Sequence, residues 1–78
     1  MKVNVAVVTG GARGLGRGIA IVLAQRGIDI ALVDVDIVGA KQTAEEIIHL
    51  GRKAIGYSSD VTNRIQLQET VKSILSDF

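Results

Sequence analysis

Apolar residues follow two alternating patterns along the chain, continuous runs and longer stretches with a period of three to four. Continuous runs are typical of strands buried on both faces of a parallel sheet. They predict strands over Val3–Thr9, Asp29–Asp34 and Lys53–Ser58. The periodic stretches after them predict helices over Leu15–Arg26, Val38–Leu50 and Asn63–Asp77. Strand and helix therefore alternate three times, which indicates an α/β fold with parallel strands and right-handed crossovers.

Each predicted helix has one apolar face and a residue suited to end or begin it. The three faces comprise, in chain order, Leu15, Ile19, Val22 and Leu23; Ala40, Ala44, Ile47 and Ile48; and Leu67, Val71, Ile74, Leu75 and Phe78. Gly27 and Gly51 stand where a left-handed helix C-cap would fall. Thr62 is predicted to be the N-cap of the third helix. Crossover geometry places helices one and two on one face of the sheet and helix three on the other.

A glycine-rich turn, TGGARGLG, spans Thr9 to Gly16 between the first strand and the first helix. A helix N-terminus presents free backbone N–H groups, and its dipole favours negative charge there. Glycines allow a sharp turn and let a pyrophosphate approach the backbone closely. The order strand, glycine turn and helix therefore predicts a dinucleotide-binding turn of the Rossmann type.

A carboxylate ends the second strand at Asp34, 24 residues after Gly10. An acid at about this offset accepts hydrogen bonds from the adenosine ribose. Such a carboxylate also repels a 2′-phosphate, so the chemistry favours NAD over NADP as the cofactor. The alternative interpretation of Asp34 is a polar residue that merely ends a strand.

Composition limits the remaining possibilities. The 78 residues make one small domain, so we expect a partial NAD(P)-binding Rossmann domain over residues 1–78 and no second domain. A net charge of +1 with scattered basic residues argues against nucleic acid or an anionic membrane as a partner. The absence of cysteine excludes disulfides and cysteine-bound zinc. Without a signal peptide or an apolar stretch of about 18 residues, we expect a cytoplasmic protein.

Two segments resemble the short-chain dehydrogenase/reductase family. The octet Thr9–Gly16 matches the family's Thr-Gly-x-x-x-Gly-x-Gly pattern, and Ser58–Thr62 resembles its Asp-Val segment after the third strand. The resemblance covers essentially the whole chain. It implies the amino-terminal half of a doubly wound sheet with local strand order 3-2-1. It also implies an oxidoreductase that transfers hydride between NAD(H) and a small alcohol or carbonyl substrate, and a homo-oligomer.

Transferred position by position, the resemblance gives cofactor-binding roles to nine residues. They are Thr9, Gly10, Arg13, Gly14, Leu15, Gly16, Asp34, Asp60 and Val61. The glycine turn holds the pyrophosphate, with the Leu15 N–H as a donor. Asp34 binds the ribose, and Asp60 and Val61 frame the adenine. Arg13 stays ambiguous, because a basic residue there is common in relatives that use NADP.

No residue of this chain matches the family's catalytic machinery, which needs a tyrosine followed four residues later by a lysine. Tyr57 is the only tyrosine, and Val61 stands four residues after it, so Tyr57 is interpreted as a packing residue. Two hypotheses remain. The chain is the amino-terminal part of a longer NAD-dependent dehydrogenase, or it is a complete non-catalytic nucleotide-binding or interaction module. In either case the 78 residues alone are expected to be inactive, and an unpartnered first strand would expose an apolar edge.

Overall fold

Three strands alternate with three helices in the computed structural model, which describes residues 4–78. In chain order the elements are β1 (Val5–Thr9), α1 (Gly14–Gln25), β2 (Asp29–Asp34), α2 (Ile37–His49), β3 (Ala54–Ser58) and α3 (Arg64–Asp77). Every predicted element is present, and the predicted ends that lie within residues 4–78 agree with the structure to within one residue. The predicted start of the first strand at Val3 lies outside the described residues.

The three strands form one parallel sheet in the order β1-β2-β3. β1 pairs with β2 from Val5 opposite Asp29 to Thr9 opposite Val33. β3 pairs with the other side of β2, so that Asp34 lies opposite Ser58. The carboxyl ends of all three strands, and the loops after them, therefore meet at one end of the sheet.

β2 is the core of the molecule, because both of its faces are covered. Ile30 and Leu32 are fully buried in a cluster with residues of α1 and α2. Ala31 and Val33, which alternate with them, are buried in a second cluster with Ile74 of α3. Successive strand residues point to opposite faces, so α1 and α2 cover one face and α3 covers the other, as predicted.

The predicted apolar face of α1 is correct only for Leu23, which is partly buried against the core. Leu15 is 81% exposed and Ile19 and Val22 are about half exposed, whereas Ala20 and Ala24 are buried. The small side chains of Ala20 and Ala24 let α1 lie close to the sheet and to α2, and Ile21 packs against the same core. Helical periodicity identified an amphipathic segment but not which face the neighbouring elements cover.

The predicted faces of α2 and α3 are correct only in part. Ala40, Ala44 and Ile47 of α2 are buried as expected, but Ile48 is exposed. In α3 the buried residues are Thr70 and Ile74, whereas Leu67, Val71 and Leu75 are exposed. The sheet is only three strands wide, so each helix buries a narrower stripe than its apolar face offers.

Two of the three predicted helix caps are confirmed. Gly27 and Gly51 adopt left-handed conformations, with φ of 88° and 90°. The prediction for Thr62 is wrong, because Asn63 is the N-cap of α3 and its side chain accepts a hydrogen bond from the Gln66 N–H at 3.1 Å. Thr62 instead donates its hydroxyl to Asp60.

Within residues 4–78, β1 pairs with β2 alone, so its other edge is open. Val7 on this strand is 54% exposed. A narrow apolar groove of about 170 Å³ runs beside it, between the sheet and α3. The exposed apolar side chains of α3, Leu67, Val71 and Leu75, line this groove together with Val7.

Candidate functional site

A crevice of about 290 Å³ lies at the carboxyl ends of the strands. It is lined by Thr9, Gly10, Val33, Asp34, Val35, Ser59, Asp60 and Val61. Five of the nine predicted cofactor-binding residues are among them. The remaining four, Arg13 to Gly16, lie where the turn after β1 enters α1. The fold thus brings together residues from three separate segments of the chain.

The turn after β1 depends on its glycines for two different reasons. Gly10 and Gly14 have φ of +68° and +62°, a region that side chains disfavour. A Cβ on Gly16 would lie 2.0 Å from the Gly10 carbonyl oxygen. Gly16 is therefore required for close packing of the turn against α1. A Cβ on Gly10 or Gly14 would meet no atom within 4 Å, so the backbone there faces open space.

The N-terminus of α1 lacks the side-chain cap that the other two helices have. Asp36 caps α2 by accepting from the Gly39 N–H at 3.0 Å, and Asn63 caps α3. Arg13 is the N-cap of α1, and its side chain makes no capping hydrogen bond in the described part of the chain. The first turn of α1 also contains no acidic residue. Its N–H groups are suited to an external anion.

Asp34 joins the end of β2 to two neighbouring segments. One carboxylate oxygen accepts the Ala12 N–H of the glycine turn at 3.1 Å, and the other accepts the Asp36 N–H at 2.9 Å. Each carboxylate oxygen has further acceptor capacity, so two hydrogen bonds leave room for ligand hydroxyls. The side chain is thus held in place at the wall of the crevice.

The same contacts keep Asp34 ionised. The hydrogen bond from the Asp36 N–H is the largest cause that lowers the pKa of Asp34, and partial burial opposes it. The Ala12 N–H and the charge of Arg13 lower this pKa further. The Asp34 side chain therefore places a negative charge in the lining of the crevice.

Asp60 lines the crevice after the end of β3, and its side chain makes its hydrogen bonds within its own turn. Its carboxylate accepts the Thr62 N–H at 2.9 Å and the Thr62 hydroxyl at 2.6 Å. These hydrogen bonds lower the pKa of Asp60. The Asp60 N–H donates to Gln66 Oε1 at 2.9 Å, which joins the turn to α3. Val61, the next residue, is 44% exposed in the crevice.

Ser59 lines the crevice between these two acids and was not identified from the sequence. Its N–H donates to the Asp34 carbonyl at 3.1 Å, which extends the pairing of β2 and β3 by one residue. Its hydroxyl is buried and has no hydrogen-bond partner among the described residues. A serine after a strand carries no sequence signal for such a position.

Tyr57 and His49 lie outside the crevice. The Tyr57 hydroxyl donates to the Asp77 carboxylate at 2.8 Å, which joins β3 to the end of α3. Burial of the ring, and then this hydrogen bond and the negative charge of Asp77, raise the pKa of Tyr57. A catalytic tyrosine base needs a lowered pKa, so the geometry agrees with a packing role. His49 contacts the Glu45 carbonyl oxygen in its own helix.

The larger hollow on the surface, about 570 Å³, lies along α2 and is lined by Gln42, Glu45, Glu46 and His49. Its two carboxylates disfavour a phosphorylated ligand, and one of them, Glu46, pairs with Arg17 of α1. Residues 4–78 contain no cluster of His, Cys, Asp and Glu that could hold a metal ion. None of the helices in that range is long and apolar enough to cross a membrane. The crevice at the strand ends is therefore the site with suitable chemistry for a nucleotide.

Comparison with known proteins agrees with this geometry. Residues 4–78 match the family model for the short chain dehydrogenases. The chain is 37% identical, over 100% of its own length and 33% of the relative's, to a cyclohexanol dehydrogenase from Rhodococcus sp. strain TK6. The chain spans only about a third of the length of this relative and of the solved structures that it matches.

Two solved structures share this fold and carry a cofactor. A putative D-mannonate oxidoreductase from Haemophilus influenza with bound NAD superposes with a TM-score of 0.94 at 29% identity, over 100% of this chain and 28% of that one. A metagenomic short-chain oxidoreductase in complex with NADP superposes with a TM-score of 0.89 at 27% identity, over 99% of this chain and 35% of that one. Similar proteins thus bind a nicotinamide dinucleotide. Sequence, fold and site together place this chain in the short-chain dehydrogenase family.

Proposed function

We propose that this chain is the amino-terminal, cofactor-binding part of a longer NAD-dependent dehydrogenase. Its own function is to bind the adenosine and pyrophosphate half of NAD. The observation that carries the proposal is the arrangement at the strand ends. One crevice joins Asp34 and Asp60, and the uncapped N-terminus of α1 begins at the turn that lines it.

The residues present suit the parts of a dinucleotide. The open space beside Gly10 and Gly14 allows a pyrophosphate to approach the turn, and the Leu15 N–H at the start of α1 donates to it. The ionised carboxylate of Asp34 accepts hydrogen bonds from the ribose hydroxyls. Asp60 and the backbone of Val61 frame the adenine, and Thr9 maintains the shape of the turn.

The open edge of β1 supports the proposal of a longer protein. In a doubly wound sheet with order 3-2-1, a fourth strand pairs with the free side of the first. The apolar side chains of α3 that remain exposed in the groove beside this edge are those that such a strand and its helices would cover. The relatives, which are about three times as long, have the length needed for these elements.

Hydride transfer between NAD(H) and an alcohol or carbonyl is proposed for the longer protein only. NAD supplies the hydride acceptor there, and these 78 residues hold the other end of the molecule. The family's catalytic tyrosine and lysine have no counterpart here, because Tyr57, the only tyrosine, is followed four residues later by Val61 and not by a lysine. We expect the isolated chain to bind NAD without turning over any alcohol.

NAD is proposed in preference to NADP because of Asp34. Its carboxylate is held at the crevice wall by two backbone donors, and it would repel a 2′-phosphate at that place. Arg13, the N-cap of α1, is exposed, so solvent screens its charge. Its attraction for a 2′-phosphate is therefore weak. Val35 adds no compensating charge.

Replacing Asp34 by alanine tests the proposal. Loss of charge-assisted hydrogen bonds to the ribose should raise the Kd for NAD by about tenfold. Affinity for NADP should change little, because the variant also loses the repulsion of the 2′-phosphate. Calorimetric titration of the wild-type and D34A chains with both cofactors measures the change in preference.

Asp29→Ala is a matched control for this experiment. Asp29 is the acid at the opposite end of the same strand, where it pairs with Arg52 at 2.7 Å. We expect this variant to lose some stability and to keep the wild-type preference for NAD. An unchanged ratio of the two Kd values in D34A would contradict the role of Asp34. A wild-type chain that binds neither cofactor would contradict the proposed function.

A further inference from the structure

Ala12, in the middle of the glycine-rich turn, is fixed by all of its polar groups. It is 7% exposed, and its N–H donates to the Asp34 carboxylate at 3.1 Å. Its carbonyl oxygen accepts the hydroxyl of Thr43 at 3.3 Å, from a helix 31 residues later in the chain. A turn residue with both backbone groups bonded to side chains of other elements has a defined orientation.

Thr43 is an unusual residue for its place in α2. It is 1% exposed and lies among the apolar residues of that helix, including Ala40, Ala44 and Ile47. A valine would fill nearly the same volume without bringing a hydroxyl into the core. The hydroxyl forms its hydrogen bond across the helix–turn contact, to the Ala12 carbonyl, and so connects α2 to the turn.

Gly39 lets the first turn of α2 approach Ala12 closely. A Cβ at Gly39 would lie 2.8 Å from the Ala12 Cβ and 2.7 Å from a carboxylate oxygen of Asp36. Both separations are shorter than van der Waals contact, and the one to Ala12 means that any side chain at Gly39 would push the turn and the helix apart. Gly39 and Thr43, four residues apart, lie on the same face of α2.

The peptide that Thr43 holds leads directly into the proposed phosphate site. The Ala12 carbonyl and the Arg13 N–H belong to one planar peptide group. Arg13 is the N-cap of α1, and the amides of Gly14, Leu15 and Gly16 follow it. The orientation of this one peptide therefore affects the direction in which the first N–H groups of α1 point.

We propose that Thr43 is a positioning residue for the pyrophosphate, acting through Ala12 and assisted by the absence of a side chain at Gly39. Thr43 has no contact with the crevice, and it sets the geometry of the turn that binds the phosphates. This inference rests on the proposed function, since it assumes that the turn binds a pyrophosphate.

Two substitutions at one position test it. Thr43→Val removes the hydroxyl and keeps the shape of the side chain, whereas Thr43→Ser keeps the hydroxyl. NMR titrations of the isotope-labelled 78-residue chain with ADP and with adenosine measure the Kd of each variant. ADP uses the turn and the crevice, and adenosine uses the crevice alone.

We expect T43V to raise the Kd for ADP by about fivefold, since the Ala12 carbonyl loses its partner. T43S should stay within about twofold of the wild type, because it restores the donor. The Kd for adenosine should be the same in all three chains. In the absence of ligand, the Ala12 amide should exchange its hydrogen faster in T43V than in T43S.

An unchanged Kd for ADP in a folded T43V chain would overturn the inference and leave the proposed function intact, even if the melting temperature fell. An equal loss of ADP and adenosine affinity would also overturn it, because Thr43 would then support the fold as a whole. If T43V does not fold, Gly39→Ala displaces the same contact, and it must weaken ADP selectively. A wild-type chain that binds no ADP would contradict the proposed function itself.

Discussion

Asp34 has a structural role at the same carboxylate for which we propose a binding role. Its two oxygens accept backbone N–H groups from the glycine turn and from the start of α2. These bonds hold the turn, the strand end and the helix together, and they also fix the charge at the crevice wall. The motif spacing predicted the position of this acid. It did not predict the two backbone donors, because they depend on how the turn folds back onto β2.

The lowered pKa of Asp34 predicts how stability depends on pH. A carboxyl group whose pKa is lower in the folded chain than the unfolded value of about 3.9 stabilises the fold above that value. The contribution is lost as the pH falls through the folded pKa. Asp34→Asn should therefore lower the free energy of unfolding at neutral pH by on the order of 1 kcal/mol, because the amide NH₂ replaces an acceptor.

Urea unfolding of the wild-type and D34N chains at neutral pH and at about pH 2.5 measures this difference. The difference in stability between the two chains should be smaller at the acid pH, because protonation of Asp34 removes its contribution as the pH falls towards and through the lowered pKa. A gap between them that is the same at both values would show that the charge of Asp34 does not stabilise the fold.

At the scale of the elements, α1 differs from α2 and α3 at its N-terminus. α2 and α3 satisfy one N–H group each with a capping side chain, whereas Arg13 supplies none to α1. The extended backbone of Arg13, with φ of −166°, would suit a capping serine. α1 therefore lacks stabilisation that a single substitution could provide, and the same N–H groups are the proposed phosphate donors.

Arg13→Ser should change stability and binding in opposite directions. Its hydroxyl can accept the Leu15 or Gly16 N–H, which should raise the free energy of unfolding by about 1 kcal/mol relative to Arg13→Ala. The same hydrogen bond should weaken NAD binding relative to Arg13→Ala, since it competes with the phosphate. Both variants lose the arginine charge, so the comparison isolates the cap.

Chemical unfolding and calorimetric NAD titration of the R13S and R13A chains provide the two measurements. Equal NAD affinities in a pair whose stabilities differ would mean that the first amides of α1 do not bind the ligand.

The sequence predicted the extents of the elements much better than the faces they bury. β2 runs from Asp29 to Asp34 as predicted, because a continuous apolar run has few alternative interpretations. α1 exposes Leu15 and buries Ala20 instead, because its neighbours require small side chains at their contact. Thr43 was not predicted at all, since a threonine within a helix has no distinguishing pattern.

In the whole molecule, the proposed site lies on the side of β1 that pairs with β2, and the other edge of β1 is unpaired within residues 4–78. The crevice is formed by the loops that follow β1, β2 and β3, and all of these lie within residues 4–78. The free edge of β1 and the exposed apolar residues beside it, such as Val7 and Leu75, need a further covering layer. The proposed nucleotide-binding site can therefore be tested in the 78-residue chain itself.

We propose that the strand-end crevice and the start of α1 bind one dinucleotide. An NMR titration of the isotope-labelled chain with NAD tests this proposal directly. If one NAD molecule binds at both places, the amide signals of residues 10–16, 34–35 and 60–61 should shift together with a single Kd. Signals from the outer surface of α2, near Glu45 and His49, should stay unchanged. Shifts confined to that surface of α2, or no shifts at high NAD concentration, would contradict dinucleotide binding at the crevice.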